Sequence, residues 1–182
     1  MSREFIALDW GTTSFRAYRV SASGHVLDTV SAPDGILAVK DGAFEAALEA
    51  RIGAWDVSLP VMAAGMITSR QGWIELPYLP CPASAADLAL ALHMHTTAAG
   101  RRIAFATGLS YRAPDGMPDV MRSEEVQVFG SLDLGISHFV TPGTHSKWIT
   151  TEGERLLRYS TYVTGEVFAA LKDHTIVGGL MK

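Results

Sequence analysis

The feature that most restricts the fold is a short pattern that occurs twice. An apolar run of strand length meets a Gly-Thr break and resumes as a second strand-like run carrying a basic residue. The first copy is Phe5 to Arg16 around Gly11-Thr12; the second is Phe139 to Lys147 around Gly143-Thr144. Glycine admits the tight backbone, and the flanking runs are too short and too regular for helix, so each copy predicts a hairpin. After the first break, Ser14 to Val20 sets Phe15, Ala17 and Tyr18 among Arg16 and Arg19. Ser23-Gly24 turns the chain, and His25 to Val30 reads as a third strand, so the chain opens as an antiparallel meander.

Downstream, helices alternate with strands. Ala43 to Trp55 places Phe44, Leu48, Ile52 and Trp55 on one helical face. Leu59 to Ala64 reads as a buried strand ending at Gly65. Ser84 to Ala99 reads as a helix with a Ser84/Asp87 start signal and Gly100 at its end, and Arg102 to Thr107 as a strand. Tyr111 to Val120, with Pro114, Gly116 and Pro118, is expected to be a loop. A helix from about Ser123 to Asp133 follows, then strands at His138–Thr141, Lys147–Thr151 and Arg155–Val163, and a helix from Gly165 to about Asp173 with Thr164 able to cap it. This alternation predicts an α/β fold with a mixed sheet. If the two Gly-Thr hairpins open equivalent domains, the first domain covers 1–120 and the second 121–182. The second would then lack parallel strands and helices to cover its apolar face.

Of 182 residues, 48% are hydrophobic, enough for a substantial core, and the net charge of -4 comes with no Lys/Arg run. A nucleic-acid footprint is not expected, nor attraction to an anionic membrane. Cys81 is the single cysteine, between Pro80 and Pro82; it excludes an internal disulfide framework and fits a reducing cytoplasm. The start Met-Ser-Arg-Glu runs directly into a strand, so no signal peptide is expected, and no window approaches the length of a membrane span.

Four segments could carry chemistry. Asp9-Trp10-Gly11-Thr12-Thr13 joins a strand-end carboxylate to a turn of small residues. Phosphate needs closely approaching N–H groups, and Mg²⁺ needs a carboxylate nearby. A hairpin with Asp9 as a turn former is the ordinary alternative. Pro142-Gly143-Thr144-His145-Ser146-Lys147 repeats the turn and adds a lysine; two such cradles facing each other would grip a nucleotide's phosphates. In Met121-Arg122-Ser123-Glu124-Glu125 a carboxylate at a helix start could take a proton from a hydroxyl attacking phosphorus. Acidic residues also suit the helix dipole, which is the plainer account of Glu125. Gly65 to Trp73 follows a buried strand, where ligands of α/β sheets gather, and Arg70 could clamp a carboxylate; a solvated surface arginine is its commoner fate. GxxxxGK[ST], HExxH, GxSxG and GxGxxG are absent, and His93 and His95, expected on a helix, would diverge and serve structure rather than a metal.

Taken in order, Asp9-Trp10-Gly11-Thr12-Thr13, Ala64-Gly65-Met66, Gly72-Trp73, Met121-Arg122-Ser123-Glu124-Glu125, Pro142 to Trp148 and Thr164-Gly165-Glu166 resemble the 2-dehydro-3-deoxygalactonokinase family along essentially the whole chain. Ser123 departs from it, standing where glycine is expected. The resemblance implies an actin-like (ribonuclease H-like) ATPase fold, with the second domain incomplete. It implies ATP and Mg²⁺ as cofactors and 2-dehydro-3-deoxy-D-galactonate as acceptor, phosphorylated at its 6-position in galactonate catabolism. It implies phosphate contacts at Gly11, Thr12, Thr13, Gly143, Thr144 and Lys147, with Asp9 at the metal. Substrate contacts fall on Ser69, Arg70, Gly72 and Trp73, and Glu124 is the base. Family members extend by ~100 residues more, a domain's worth, which hold the adenine segment, so a chain ending at Lys182 is expected to be a truncated product, inactive alone. A homodimer stays open. The rivals are a kinase for another sugar acid or polyol, a non-catalytic binding remnant, and a phosphohydrolase using the same turns.

Overall fold

The computed structural model describes residues 4–180. The expected leaderless start, residues 1–3, and the chain end, residues 181–182, lie outside them. The chain forms two compact units, Met1–Leu79 with Ala86–Gly108, and Pro80–Ala85 with Leu109–Lys182. The main division therefore falls at Gly108/Leu109, ahead of the expected 120/121 boundary, and a short earlier stretch belongs to the second unit.

In the first unit the opening meander is as expected: β1 (Phe5–Trp10), β2 (Phe15–Val20) and β3 (Val26–Ala32) pair antiparallel in sequence. β1 buries Ile6, Leu8 and Trp10, the alternation expected of a half-covered strand. α1 (Phe44–Ile52) turns Phe44, Leu48 and Ile52 inward on one face. β4 (Val61–Ala64) then runs parallel to β1. The chain makes two short strands, β5 (Leu79–Pro80) and β6 (Ala83–Ser84), and the brief helix α2 (Ala85–Leu90). It returns through β7 (His93–Thr96) and β8 (Arg102–Phe105), the latter parallel to β4. The resulting six-stranded mixed sheet has the order β3-β2-β1-β4-β8-β7. Trp10 meets Phe15 and Phe44 edge-on, with centroids 5.0 and 5.7 Å apart, at the centre of the core.

Two expectations need correction here. The helix expected over Ser84 to Ala99 stops at Leu90, because His93 to Thr96 is taken up as an antiparallel edge strand on β8. Pairing to an open sheet edge outweighs a local helical pattern. His93 and His95 therefore project to the same side of a strand rather than diverging. His95 lies 3.2 Å from Glu45. Among the described residues no group of three or more His, Cys, Asp or Glu could hold a metal ion.

In the second unit the segment expected as a loop is a hairpin, β9 (Leu109–Arg112) with β10 (Pro118–Met121), closed around Gly116. Proline is tolerated because it opens β10 rather than interrupting it. α3 (Glu124–Phe129) is shorter than expected and gives way to a 3-10 turn at Leu132–Leu134. β11 (His138–Thr141), β12 (Ser146–Glu152) and β13 (Arg155–Tyr162) form an antiparallel sheet with β6 at its edge. α4 (Gly165–His174) follows. Among the described residues no helix is long and apolar enough to cross a membrane.

One charged group lies in the interior of the first unit. Arg101 is 0% exposed and forks onto both carboxylate oxygens of Glu49, at 2.8 and 3.1 Å. Its remaining N–H groups reach the carbonyls of Trp55 and Asp56. Such a cation is tolerated only while its partners stay in place. Glu49→Ala is expected to lower unfolding free energy by about 3 kcal/mol, measured by urea denaturation; a loss below about 0.5 kcal/mol would show that water replaces the carboxylate freely.

Candidate active site

At the first Gly-Thr turn, the register pairs Asp9 with Arg16 on β2 and with Ala64 on β4. The Asp9 carboxylate is about one-third exposed and 3.4 Å from the Arg16 guanidinium. Gly65, the residue after β4, has φ +107, and a Cβ there would stand 2.7 Å from the Trp10 carbonyl and 3.2 Å from Asp9 Oδ1. Glycine is thus required twice over, by backbone sign and by space. The Gly11–Thr13 turn lies against Gly35, where any Cβ would collide with the Thr12 carbonyl and the Thr13 nitrogen. The Gly11 N–H donates to the Ser14 carbonyl at 2.9 Å, so it closes the turn instead of facing a ligand. Thr12 and Thr13 are exposed.

The chain leaving β4 makes a 3-10 turn at Met66–Thr68. Thr68, missed in the sequence, is fully buried and its hydroxyl lies 3.2 Å from the carbonyls of both Gly65 and Ala106, tying the ends of β4 and β8 together. Ser69 is buried and its hydroxyl donates to the Met66 carbonyl at 2.7 Å. Arg70 is exposed beside it. The other two expected substrate contacts, Gly72 and Trp73, follow on the same segment. A Cβ on Gly72 would strike the Ile67 carbonyl, so that glycine serves close chain packing. Trp73 is half-buried; it stacks on Phe44, centroids 5.9 Å apart, and meets Phe105 edge-on, so it packs against the core.

In the second unit the Pro142–Lys147 turn is tied to the start of α4. The N–H groups of Gly165 and Glu166 donate to the carbonyls of Gly143 and Thr144, at 3.1 and 3.2 Å. His145 Nε2 lies 2.9 Å from Glu166. Thr164 makes no side-chain cap; its hydroxyl lies 3.3 Å from the Gly143 carbonyl. Gly143 and Thr144 remain exposed. The Lys147 side chain is buried, and its ammonium donates to the Val120 carbonyl at 2.6 Å and the Thr161 hydroxyl at 2.7 Å, with Asp119 3.7 Å away. It holds β10 to β12 and β13 and is committed to the body of its own unit.

At the start of α3, Glu124 is half-buried and accepts the Arg122 N–H at 3.0 Å. Glu125 is 1% exposed and accepts the Ser123 N–H at 2.9 Å. It is therefore no solvated dipole partner. Burial pushes its carboxyl up to about 7; the Ser123 N–H and the Arg122 charge oppose the rise, and Glu124 adds to it. Burial, with Glu125 nearby, likewise pushes the Cys81 thiol up to about 11, so it stays protonated and unreactive at neutral pH. The signal for Glu125 in the sequence is its helical spacing to Val128, three residues on, and both are buried in α3.

A sequence profile described as 2-keto-3-deoxy-galactonokinase matches residues 9–182. Together with an α/β architecture of mixed sheets, that match places the chain among sugar-acid kinase sequences. A 2-dehydro-3-deoxygalactonokinase of Rhizobium meliloti is 37% identical over 95% of this chain and 58% of its own. One of Escherichia coli is 32% identical over 98% of this chain and 60% of its own. A crystal structure described as a 2-dehydro-3-deoxygalactonokinase protein from Sinorhizobium meliloti superposes with a TM-score of 0.84 at 34% identity, over 96% of this chain and 58% of that one. The chain belongs to the 2-keto-3-deoxy-galactonokinase family, and it spans about three-fifths of the length of these relatives.

The expected departure at Ser123 has a structural counterpart: its φ is +96, a backbone sign that favours glycine. Ser123→Gly is expected to raise stability by about 1 kcal/mol, strain relief outweighing the added freedom of the unfolded chain, read as a higher urea midpoint. A lower midpoint would mean that the serine side chain holds the turn.

Proposed function

We propose that this chain supplies the acceptor-binding and phosphate-binding segments of an ATP-dependent kinase acting on 2-dehydro-3-deoxy-D-galactonate, with ADP and the 6-phosphate as products. The observation that carries the reading is the Asp9 carboxylate, partly exposed at the ends of the parallel strands β1 and β4, beside the exposed hydroxyls of Thr12 and Thr13. The order β3-β2-β1-β4-β8, with antiparallel strands preceding parallel ones, supports an actin-like ATPase arrangement for the first unit.

Mg²⁺ is usually held by one or two carboxylates, water and phosphate oxygens, and a single accessible Asp9 fits that donor set. Bound there, the ion would neutralise charge on the transferring phosphoryl group. Asp9 would hold it, and within the first unit the Gly11–Thr13 turn would position phosphate; the Gly143-Thr144 turn of the second unit is a separate candidate phosphate-binding turn. Glu124, held by the Arg122 N–H, accepts the proton of the attacking terminal hydroxyl. Arg70, exposed next to Ser69, pairs with the sugar-acid carboxylate. A cytoplasmic setting is part of the same proposal.

A coupled ADP-release assay tests the reading, run on the 182-residue chain and on the chain extended by the remaining length of the Rhizobium meliloti relative. ADP formation that depends on the keto-deoxy acid is expected from the extended protein. Glu124→Gln should lower its kcat by ~10²–10⁴-fold with little change in KM. Near-normal turnover of that variant would remove Glu124 from the role of base, and phosphate release without acceptor would identify a hydrolase instead.

A further inference from the structure

Glu124 and Glu125 close two successive short rings onto the main chain, one through the Arg122 N–H and the other through the Ser123 N–H. The two rings differ in their surroundings. Glu124 is half-buried, whereas Glu125 is 1% exposed, and its second oxygen, Oε2, is buried with no hydrogen-bond partner among the described residues. A carboxylate oxygen enclosed without a donor is costly as an anion and far less so as part of the neutral acid. One of the two N–H donors, Ser123, sits at a positive φ that a serine does not adopt unaided.

The ionisable groups that act on Glu125 are Arg122 and Glu124 on its own segment, with Cys81 from the stretch before β6 and Tyr159 from β13. Tyr159 donates to the carbonyls of Leu109 and Asp119, at 2.7 and 3.1 Å, and Lys147 lies over its ring. Lys147 is committed to Val120, Thr161 and Asp119.

We propose that Glu125 is a positioning residue that, as the uncharged acid, holds the Ser123 N–H and so fixes the left-handed turn from which Glu124 is presented on the Arg122 N–H. Its catalytic consequence rests on Glu124 being the base; the clamp itself does not. The folded carboxyl, at about 7, lies above its ordinary value of 4.5. Its contribution to stability is therefore fully present below pH 4.5 and is lost as pH rises through 7.

The experiment compares the 182-residue chain with Glu125→Gln, which keeps a carbonyl acceptor and no charge, and Glu125→Ala, which keeps neither. The Ser123 amide proton, followed by NMR, should titrate with a midpoint near pH 7 in the parent protein and stay flat in Glu125→Gln. From pH 4.5 to 8 the unfolding constant of the parent should rise relative to Glu125→Gln by on the order of a hundredfold. In Glu125→Ala the amides of both Arg122 and Ser123 should shift and lose protection; if that variant does not fold, the Gln arm decides alone. A Ser123 midpoint near the ordinary carboxylate value, or parallel stability profiles, overturns the clamp. In the extended kinase, Glu125→Ala should lower kcat more than KM, and Glu125→Gln should restore it. Absence of ADP formation from every protein would count against the kinase reading, while the NMR and stability profiles decide the clamp independently.

Discussion

The first unit depends on how closely the chain leaving β4 can approach the end of β1. Gly65 makes that approach with a positive φ, where a side chain would stand 2.7 Å from the Trp10 carbonyl. Because it can, β1 and β4 run in parallel register as far as Asp9 opposite Ala64. The same approach sets the Asp9 carboxylate, the Gly11–Thr13 turn and the segment through Ser69 and Arg70 at one end of the sheet. Ligands of α/β proteins gather outside the carboxyl ends of parallel strands because turns there bring backbone and short side chains to one place. Thr68 reinforces the arrangement by bonding the ends of β4 and β8.

Buried charged groups are matched to different degrees. Arg101 has its guanidinium matched by a forked carboxylate and two carbonyls, which makes it a rigid internal tie. Lys147 is satisfied in the same manner by a carbonyl, a hydroxyl and a nearby carboxylate. Glu125 is satisfied on one oxygen only. Fully matched groups belong to structure, whereas a half-matched buried acid beside a strained residue is the kind of feature that persists at functional sites.

Much of the fold was legible because the strands of the meander and the late antiparallel sheet alternate cleanly, and because Phe44, Leu48 and Ile52 keep helical spacing into one core. His93 to Thr96 was not, since its state is set by an open sheet edge that local sequence does not reveal. Tyr111 to Val120 misled because a proline opens a strand there instead of interrupting one. At the site, sequence order located the turns and the paired glutamates but not the direction of side chains. Lys147 sits inside a recognisable motif yet turns into the interior onto buried acceptors, and Trp73, half-buried, leans on the aromatic edge of the core. Glu125 was hidden for the opposite reason: a charged residue in a first helical turn reads as surface until its spacing to the buried Val128 is followed.

The account's central claim is that the joined ends of β1 and β4 form the seat of a metal-bound phosphate. A crystal structure of the extended protein with Mg²⁺ and a non-hydrolysable ATP analogue tests it most directly. The account predicts the ion within one water of the Asp9 carboxylate, and phosphate oxygens against Thr12 and Thr13. A nucleotide whose phosphates lie away from that turn, with no ion near the Asp9 carboxylate, would contradict it.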